Sequence, residues 1–212
     1  MMSAEPPQSP IAEAVHSLEV RWIFPGPLQA AVAGWFGRFP ARVETREDTY
    51  LLDPHLPGLS VKIRGAVALD VKVYRGSPGL LEVADRARGR VEAWQKWSFP
   101  CERQNQGSDD LPGWRAVRKR RRISSITPAD EPSITHVPES AQARCEVELT
   151  EVRARGEAWW SLGFEVTGPA GLLRGELDAT AALVFAKPLP GDPQLSTDDC
   201  CSYEDWLRRQ PT

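Results

Sequence analysis

Leu59-Ser60-Val61-Lys62-Ile63-Arg64 is followed after a short break by Leu69-Asp70-Val71-Lys72-Val73-Tyr74. In both stretches apolar residues alternate with polar or charged ones. Side chains of a strand point to opposite faces in turn, so each stretch reads as an apolar ribbon backed by a charged row. Leu18-Glu19-Val20-Arg21 has the same pattern near the start, and Cys145-Glu146-Val147-Glu148-Leu149 has it near the end. The rows between 60 and 122 are mainly basic (Lys62, Arg64, Lys72, Lys119, Arg121), whereas the row at 146–148 is acidic. An antiparallel sheet with one solvated face would mix signs between neighbouring strands, because like charges directly opposite each other are destabilising. Cations stacked at matching parity repel unless an anion lies among them. The sorting therefore points to a charged interior, suited to a polyanion accompanied by a divalent cation.

The chain has 212 residues, enough for one domain with a substantial core. Its net charge is −3 and its pI about 5.7, which argues against a general nucleic-acid binder. Arginines outnumber lysines, 21 to 5, and the planar guanidinium fork suits phosphate. Cys101, Cys145, Cys200 and Cys201 show no zinc spacing, and the adjacent Cys200-Cys201 read as a pair of free thiols. With no signal peptide and no apolar run long enough for a bilayer, the expected setting is a reducing cytoplasm, away from membranes. His16, His55 and His136 form no ligand pattern.

Residues 1–15, with Pro6, Pro7 and Pro10, read as a flexible N-terminus. Strands are expected at about 16–24, 41–53, 58–65, 67–75, 88–99, 114–123, 142–153 and 157–167. Pro25-Gly26-Pro27, Pro54 and Pro57-Gly58 punctuate the first of them. Leu28, Val32, Trp35, Phe36 and Phe39 have helical spacing, as do Leu173, Leu177, Ala181 and Val184 over about 170–186. Residues 100–113 read as a loop and 124–140 as a long connection. The segment 188–212 reads as a tail with a short helix at Tyr203–Arg209. The fold class is thus α+β, mainly β: eight mostly up-and-down antiparallel strands closing into a barrel, or tunnel, with covering helices. With charges inside, the apolar ribbons face outward, and the two amphipathic helices supply faces to cover them.

Several motifs, in this order, resemble the CYTH, or triphosphate tunnel metalloenzyme, superfamily over about 16–187. Ser17-Leu18-Glu19-Val20-Arg21 is similar to its opening Glu-x-Glu-x-Lys strand, and Tyr50-Leu51-Leu52-Asp53 to its Tyr-x-Asp strand. Lys62/Arg64 and Asp70/Lys72 resemble its first basic pair and its acid-x-Lys strand. Lys119/Arg121 fall in its Lys-x-Arg strand, and Glu146/Glu148 with Glu165 resemble its closing acidic strands. The chain departs from the signature at Ser17, which replaces the first Glu, and at Arg21, which replaces the Lys.

The resemblance implies an eight-stranded tunnel that hydrolyses or cyclises triphosphates with Mg²⁺ or Mn²⁺. It makes Glu19, Glu146, Glu148 and Glu165 metal-ligand candidates, the first three also catalytic. Arg21, Lys62, Arg64, Lys72, Lys119 and Arg121 become substrate-binding candidates. Arg118, Arg120 and Arg122 offer a rival parity on the same strand, and the sequence leaves that choice open. Trp94 and Trp97 lie on opposite strand faces, so one of them faces inward, near Glu92 and Lys96, where it can stack on a base or a thiazole-like ring or equally line an apolar stretch for the lipid-like tail of a prenyl diphosphate. The leading expectation is a metal-dependent phosphohydrolase acting on inorganic triphosphate or a small organic triphosphate. Two alternatives stand beside it: a non-catalytic module that holds a phosphorylated ligand, and a pyrophosphate-releasing lyase or cyclase acting on a nucleotide or isoprenyl diphosphate.

Overall fold

A computed structural model describes residues 13–101, 112–126, 142–191 and 193–210. Strands β1 (Val15–Pro25), β2 (Arg42–Leu51), β3 (Leu59–Arg64), β4 (Ala68–Gly76), β7 (Glu92–Pro100), β8 (Trp114–Ile126), β9 (Arg144–Ala154) and β10 (Glu157–Thr167) form a closed antiparallel barrel. Its order is β1-β10-β9-β8-β2-β3-β4-β7, closed by β7 against β1. Two short strands, β5 (Leu80–Val83) and β6 (Ala87–Arg90), make a separate hairpin. Helices α1 (Ala30–Phe36), α2 (Ala170–Val184) and α3 (Tyr203–Arg209) complete the fold.

The apolar ribbons do face outward. Leu18, Val20 and Trp22 of β1 pack with Val147 and Leu149 of β9 and with Leu162, Phe164 and Val166 of β10. Val32 and Phe36 of α1 and Leu173, Leu177 and Ala181 of α2 cover them. The main core therefore lies outside the barrel, between its wall and the helices. Trp22 is at its centre, with Phe164 and Phe185 edge-on at 6.4 and 6.3 Å and its indole N–H donating to the Arg88 carbonyl at 3.1 Å. Arg38 and Arg86 donate to the last carbonyls of α2 and the residues just after it, the end of a helix that favours cations.

The expected strand at 88–99 is two strands that meet at Val91. Ala87–Arg90 turns back onto Leu80–Val83 through a tight turn, with Ala84 at φ 43°. Val91 is fully buried and bonds the Gly79 carbonyl at 3.0 Å, and only after it does the chain enter the barrel as β7. Strand β5 was not foreseen. The topology also departs from a simple meander, since neither β1 and β2 nor β7 and β8 are neighbours. The expectations for 1–12, for most of the 100–113 loop and for most of the 124–140 connection fall outside the described residues, as does His136.

The hairpin lies on β1 at Gly89, where a Cβ would stand 2.6 Å from both Trp22 and Val20. Both are rigid, buried groups, so the strain cannot be relieved by rotating a side chain. Gly89→Ala is expected to lower stability by about 1–3 kcal/mol. The reading is a lower urea midpoint at unchanged m-value; an unchanged midpoint would show that the hairpin is not held against the barrel.

Candidate functional site

The pleat that sends apolar residues outward sends the charged rows into the barrel. They line a cavity of about 470 Å³, along which, among the described residues, arginines and lysines outnumber carboxylates eleven to eight. Each of Arg21, Lys62, Arg64, Lys72, Lys119 and Arg121 lines it, as do Glu19, Glu146, Glu148, Glu165 and Trp94. On β8 the parity is settled: Lys119 and Arg121 are inside, while Arg118 and Arg120 are outside and pair with Glu47 and Glu151. Trp94 is the inward tryptophan, buried, with its indole N–H donating to Glu92 at 3.1 Å.

One side of the tunnel is basic. Arg46 of β2, Lys62 and Arg64 of β3, Lys72 of β4, Lys96 of β7 and Lys119 and Arg121 of β8 converge there. Two buried carboxylates make this possible. Asp48 is fully enclosed, with Lys119 at 3.0 Å, Arg46 at 2.9 Å and Lys62 at 3.9 Å. Asp70 holds Arg64 at 3.0 Å, Lys96 at 3.8 Å and Lys62 at 3.9 Å, and accepts from Ser98 at 2.8 Å. Lys62 thus hangs between two acids at a distance too long for a hydrogen bond. Burial, aided by Lys119, Lys72 and Arg46, pulls its pKa down to about 8 against the pull of Asp48. Burial likewise takes Lys119 to about 8, although its ammonium bonds the Tyr50 hydroxyl at 2.5 Å and lies 3.6 Å from the Tyr203 ring centroid.

The opposite side carries a row of carboxylates. Strand register places Glu92 opposite Glu19, Glu19 opposite Glu165, and Glu165 opposite Glu146. Lys72 reaches this row, 2.5 Å from Glu19 and 3.7 Å from Glu165. It holds Glu165 down at about 2, while burial pushes Glu92 up to about 7. Glu146 pairs with Arg42 at 2.9 Å. Glu148 stands apart from the row: Arg21 lies 3.3 Å away, Arg121 binds it through two nitrogens, and Thr150 donates to it at 2.5 Å. Arg21 has room because Gly163 lies opposite; a Cβ there would come within 2.9 Å of the guanidinium. Ser17 is buried and donates to Glu19 at 2.9 Å.

The row supplies hard carboxylate oxygens, the donors Mg²⁺ and Mn²⁺ take. Mg²⁺ usually needs only one or two of them beside substrate phosphates, so Glu19, Glu165 and Glu146 fit such an ion. Glu148, saturated by two arginines, fits it less well. Among the described residues, no group of three or more His, Cys, Asp or Glu side chains is arranged to hold a metal by itself.

The C-terminal segment belongs to the site. Residues 199–201 run along β1, with the Ile23 N–H bonding Asp199 and the Cys201 N–H bonding Arg21, both at 3.0 Å. Helix α3 then closes one end of the tunnel: Tyr203, Trp206 and Leu207 pack on Ile23, Tyr50, Val117 and Val152. Ser202 caps the helix by accepting from the Asp205 N–H at 3.2 Å. Glu204 enters the tunnel wall and accepts from Ser60. Sequence reading missed Arg46, Asp48, Lys96, Glu92, Tyr203 and Glu204 as site residues. Arg46 and Asp48 share parity with Tyr50, and Glu92 and Lys96 share it with Trp94, so four of the six were accessible from strand alternation. Asp53 lies beyond β2, half-exposed beside His55.

Asp48→Asn removes the buried charge that three cations share, so stability is expected to fall by about 3–5 kcal/mol. Glu47→Gln, in the solvent-exposed pair with Arg118, is expected to stay within about 0.5 kcal/mol of the parent. Chemical denaturation of both variants checks this, and equal effects would mean that the interior network contributes nothing.

No protein-family model and no curated protein sequence matches the chain. Among solved structures it is similar to a conserved hypothetical protein from Pyrococcus furiosus, 15% identical, over 88% of this chain and 98% of that one, with a TM-score of 0.48. It is also similar to the S. pombe RNA triphosphatase Pct1, 9% identical over 84% and 80% of the two chains, TM-score 0.39. A third similarity is to the Mimivirus capping enzyme triphosphatase, 10% identical over 80% and 89%, TM-score 0.39.

Proposed function

We propose that the tunnel binds the polyphosphate of an inorganic or small organic triphosphate and hydrolyses it with the help of a divalent cation. The observation that carries this reading is the convergence of Lys and Arg side chains from five strands onto one cavity, opposite a row of carboxylates. Fixed cations in a poorly solvated cavity attract a polyanion far more strongly than the same cations in water.

In this reading Arg46, Lys62, Arg64, Lys96 and Arg121 hold the phosphate oxygens. Arg21 acts less directly, through Glu148 and the Tyr203 ring, which lies 4.6 Å below it. Mg²⁺ or Mn²⁺, which one or two of Glu19, Glu165 and Glu146 would hold, would neutralise phosphoryl oxygens as a Lewis acid. A carboxylate of the row orients the attacking water and accepts its proton. The new bond joins the water oxygen to phosphorus, and the bond to the leaving phosphate breaks. The basic side stabilises the charge that develops on the leaving group.

A second reading, a module that holds the ligand without turnover, is favoured by Ser17. That position supplies a hydroxyl to Glu19 where the resembled family has another carboxylate.

Phosphate and pyrophosphate release from inorganic triphosphate, ATP, thiamine triphosphate and farnesyl diphosphate, with Mg²⁺ and with Mn²⁺, tests the proposal. Metal-dependent orthophosphate release is expected, and Glu19→Gln/Glu165→Gln should reduce it by at least about 100-fold. Ligand binding without release in the folded protein would put the holding module first, and pyrophosphate release would indicate a lyase.

A pH dependence follows from Lys62 and Lys119. Both are depressed to about 8 by burial, so they lose their charge as pH rises through that value in the free protein. A bound polyphosphate favours the ammonium forms, so binding takes up protons above pH 8. Affinity for inorganic triphosphate should therefore fall there, by at most about tenfold per pH unit for each lysine. Calorimetry in buffers of different ionisation heat reads the proton uptake directly. A flat affinity across this range would show that the charge of neither lysine contributes to binding.

A further inference from the structure

The outward ribbons of β1, β9 and β10 are buried under α1 and α2, whereas those of β3, β4 and β7 are not. Strand register sets Leu51, Val61, Val71 and Trp97 in one row across β2, β3, β4 and β7, and Ile63, Leu69 and Phe99 in the next. All seven point away from the tunnel, because their chain neighbours Tyr50, Lys62, Arg64, Asp70, Lys72 and Lys96 line it. None belongs to either hydrophobic cluster of the described residues, and none carries a charge. Six of them are half-buried; Phe99 is 40% exposed, and Val67, at the end of its row, 65%.

The chain has little of its own to lay over this face. Residues 1–12, 102–111 and 127–141 hold six large apolar residues in three separate segments: Met1, Met2, Ile11, Leu111, Ile134 and Val137. A second copy supplies what they lack. In a two-fold pair the same patch meets itself, so a charged face would oppose its own sign, and an uncharged one does not. Four strands about 4.8 Å apart and two rows about 7 Å apart make a patch of roughly 300 Å², the scale at which an apolar patch marks an interaction site. Two such patches with their rims fall at the low end of specific interfaces, about 1,000 Å² in total, which suits a weak dimer.

We propose that the outer face of β3, β4 and β7, with Leu51 of β2, is the interface between two copies of this chain, packed sheet to sheet about a two-fold axis with Trp97 and Phe99 as anchors. The same strands carry Lys62, Lys72 and Lys96 on their inner side. Pairing therefore braces the basic wall of the tunnel as α1 and α2 brace the carboxylate wall. The proposal does not depend on what the tunnel binds.

Sedimentation velocity of the full chain from about 2 to 500 µM tests it, and a reversible monomer–dimer equilibrium with a Kd of about 10–100 µM is expected. Phe99→Lys, at the exposed edge, and Val71→Lys, at the centre, each set like charges against one another and should raise the Kd at least about tenfold. Leu183→Lys, at an exposed position of α2, should leave it within about twofold. Thermal midpoints show which variants fold, and if one of the two interface variants does not, the other decides. A chain that stays monomeric over the whole range overturns the proposal, and binding of that monomer to phosphatidylcholine or phosphatidylserine vesicles would give the face to a lipid surface instead. A dimer that a folded interface variant leaves unchanged, or that Leu183→Lys weakens equally, also overturns it. Failure of both interface variants to fold would show that the face is packed within the single chain, and the proposal falls.

Discussion

Cations stacked along the inside of a closed barrel repel one another, and much of this structure is arranged around that repulsion. Two unit charges 4 Å apart at an effective dielectric of about 20 interact by about 4 kcal/mol, so a cluster of unpaired lysines and arginines would offset the whole stability of an ordinary domain. Asp48 and Asp70 answer this locally. Each lies beneath the basic side and touches three cations, so that Lys62, Lys119, Arg46, Arg64 and Lys96 are tied to two carboxylates. The compensation is incomplete, because along the cavity arginines and lysines still outnumber carboxylates among the described residues. A binding site for a polyanion requires such a shortfall, because complete neutralisation would leave no attraction for a ligand.

A barrel filled with charge cannot also contain the main hydrophobic core, so the core is displaced outward. Buried Leu, Val, Phe and Trp side chains of β1, β9 and β10 pack beneath α1 and α2 on one flank. That flank also carries Glu19, Glu146 and Glu165, which places the carboxylate row on the best-supported strands. On β8 the outer Arg118 and Arg120 are exposed, and the outer arginines pair with Glu47 and Glu151 on β2 and β9. The inner apolar cluster is confined to one end, where α3 seals the tunnel with Tyr203, Trp206 and Leu207. The seal also contributes to the site, since Tyr203 lies against both Arg21 and Lys119.

Strand alternation carried most of this information. Once Lys62, Arg64 and Lys72 were read as one face, a charged interior, eight strands and covering helices followed, because an outward apolar ribbon must be buried against something. Alternation has two blind spots here. It does not show where a strand leaves the sheet, so 88–99 read as one element although Val91 divides a hairpin from the barrel. Nor does it say which parity faces in when both are charged, as in Val117-Arg118-Lys119-Arg120-Arg121-Arg122. Pairing decided that case, since Glu47 and Glu151 stand outside while Asp48 and Glu148 stand inside. The role of the C-terminal segment was out of reach. Ser202 and the charges of Tyr203–Arg209 announce a capped helix, but its position against β1 depends on tertiary pairing with Arg21 and Ile23 that no local pattern encodes.

The same charge argument bears on why the two kinds of side chain are segregated rather than mixed. An evenly mixed interior would pair every cation with a neighbouring carboxylate, and the cavity would present no net field to a ligand. Here the carboxylates form a continuous row across four strands, which Lys72 meets at Glu19 and Glu165 and Arg42 of β2 meets at Glu146. A phosphate chain laid between the two sides would meet cations along one edge and carboxylates along the other. The carboxylate edge repels it unless a positive ion stands between, and Lys72 supplies one such charge from within the chain. The geometry therefore ties two questions together. Whatever stands between the phosphates and the carboxylate row, a bound metal ion or the ammonium of Lys72, also determines whether a carboxylate is left free to take a proton from water. Turnover and mere holding differ at that one place in the tunnel, while the basic side serves both.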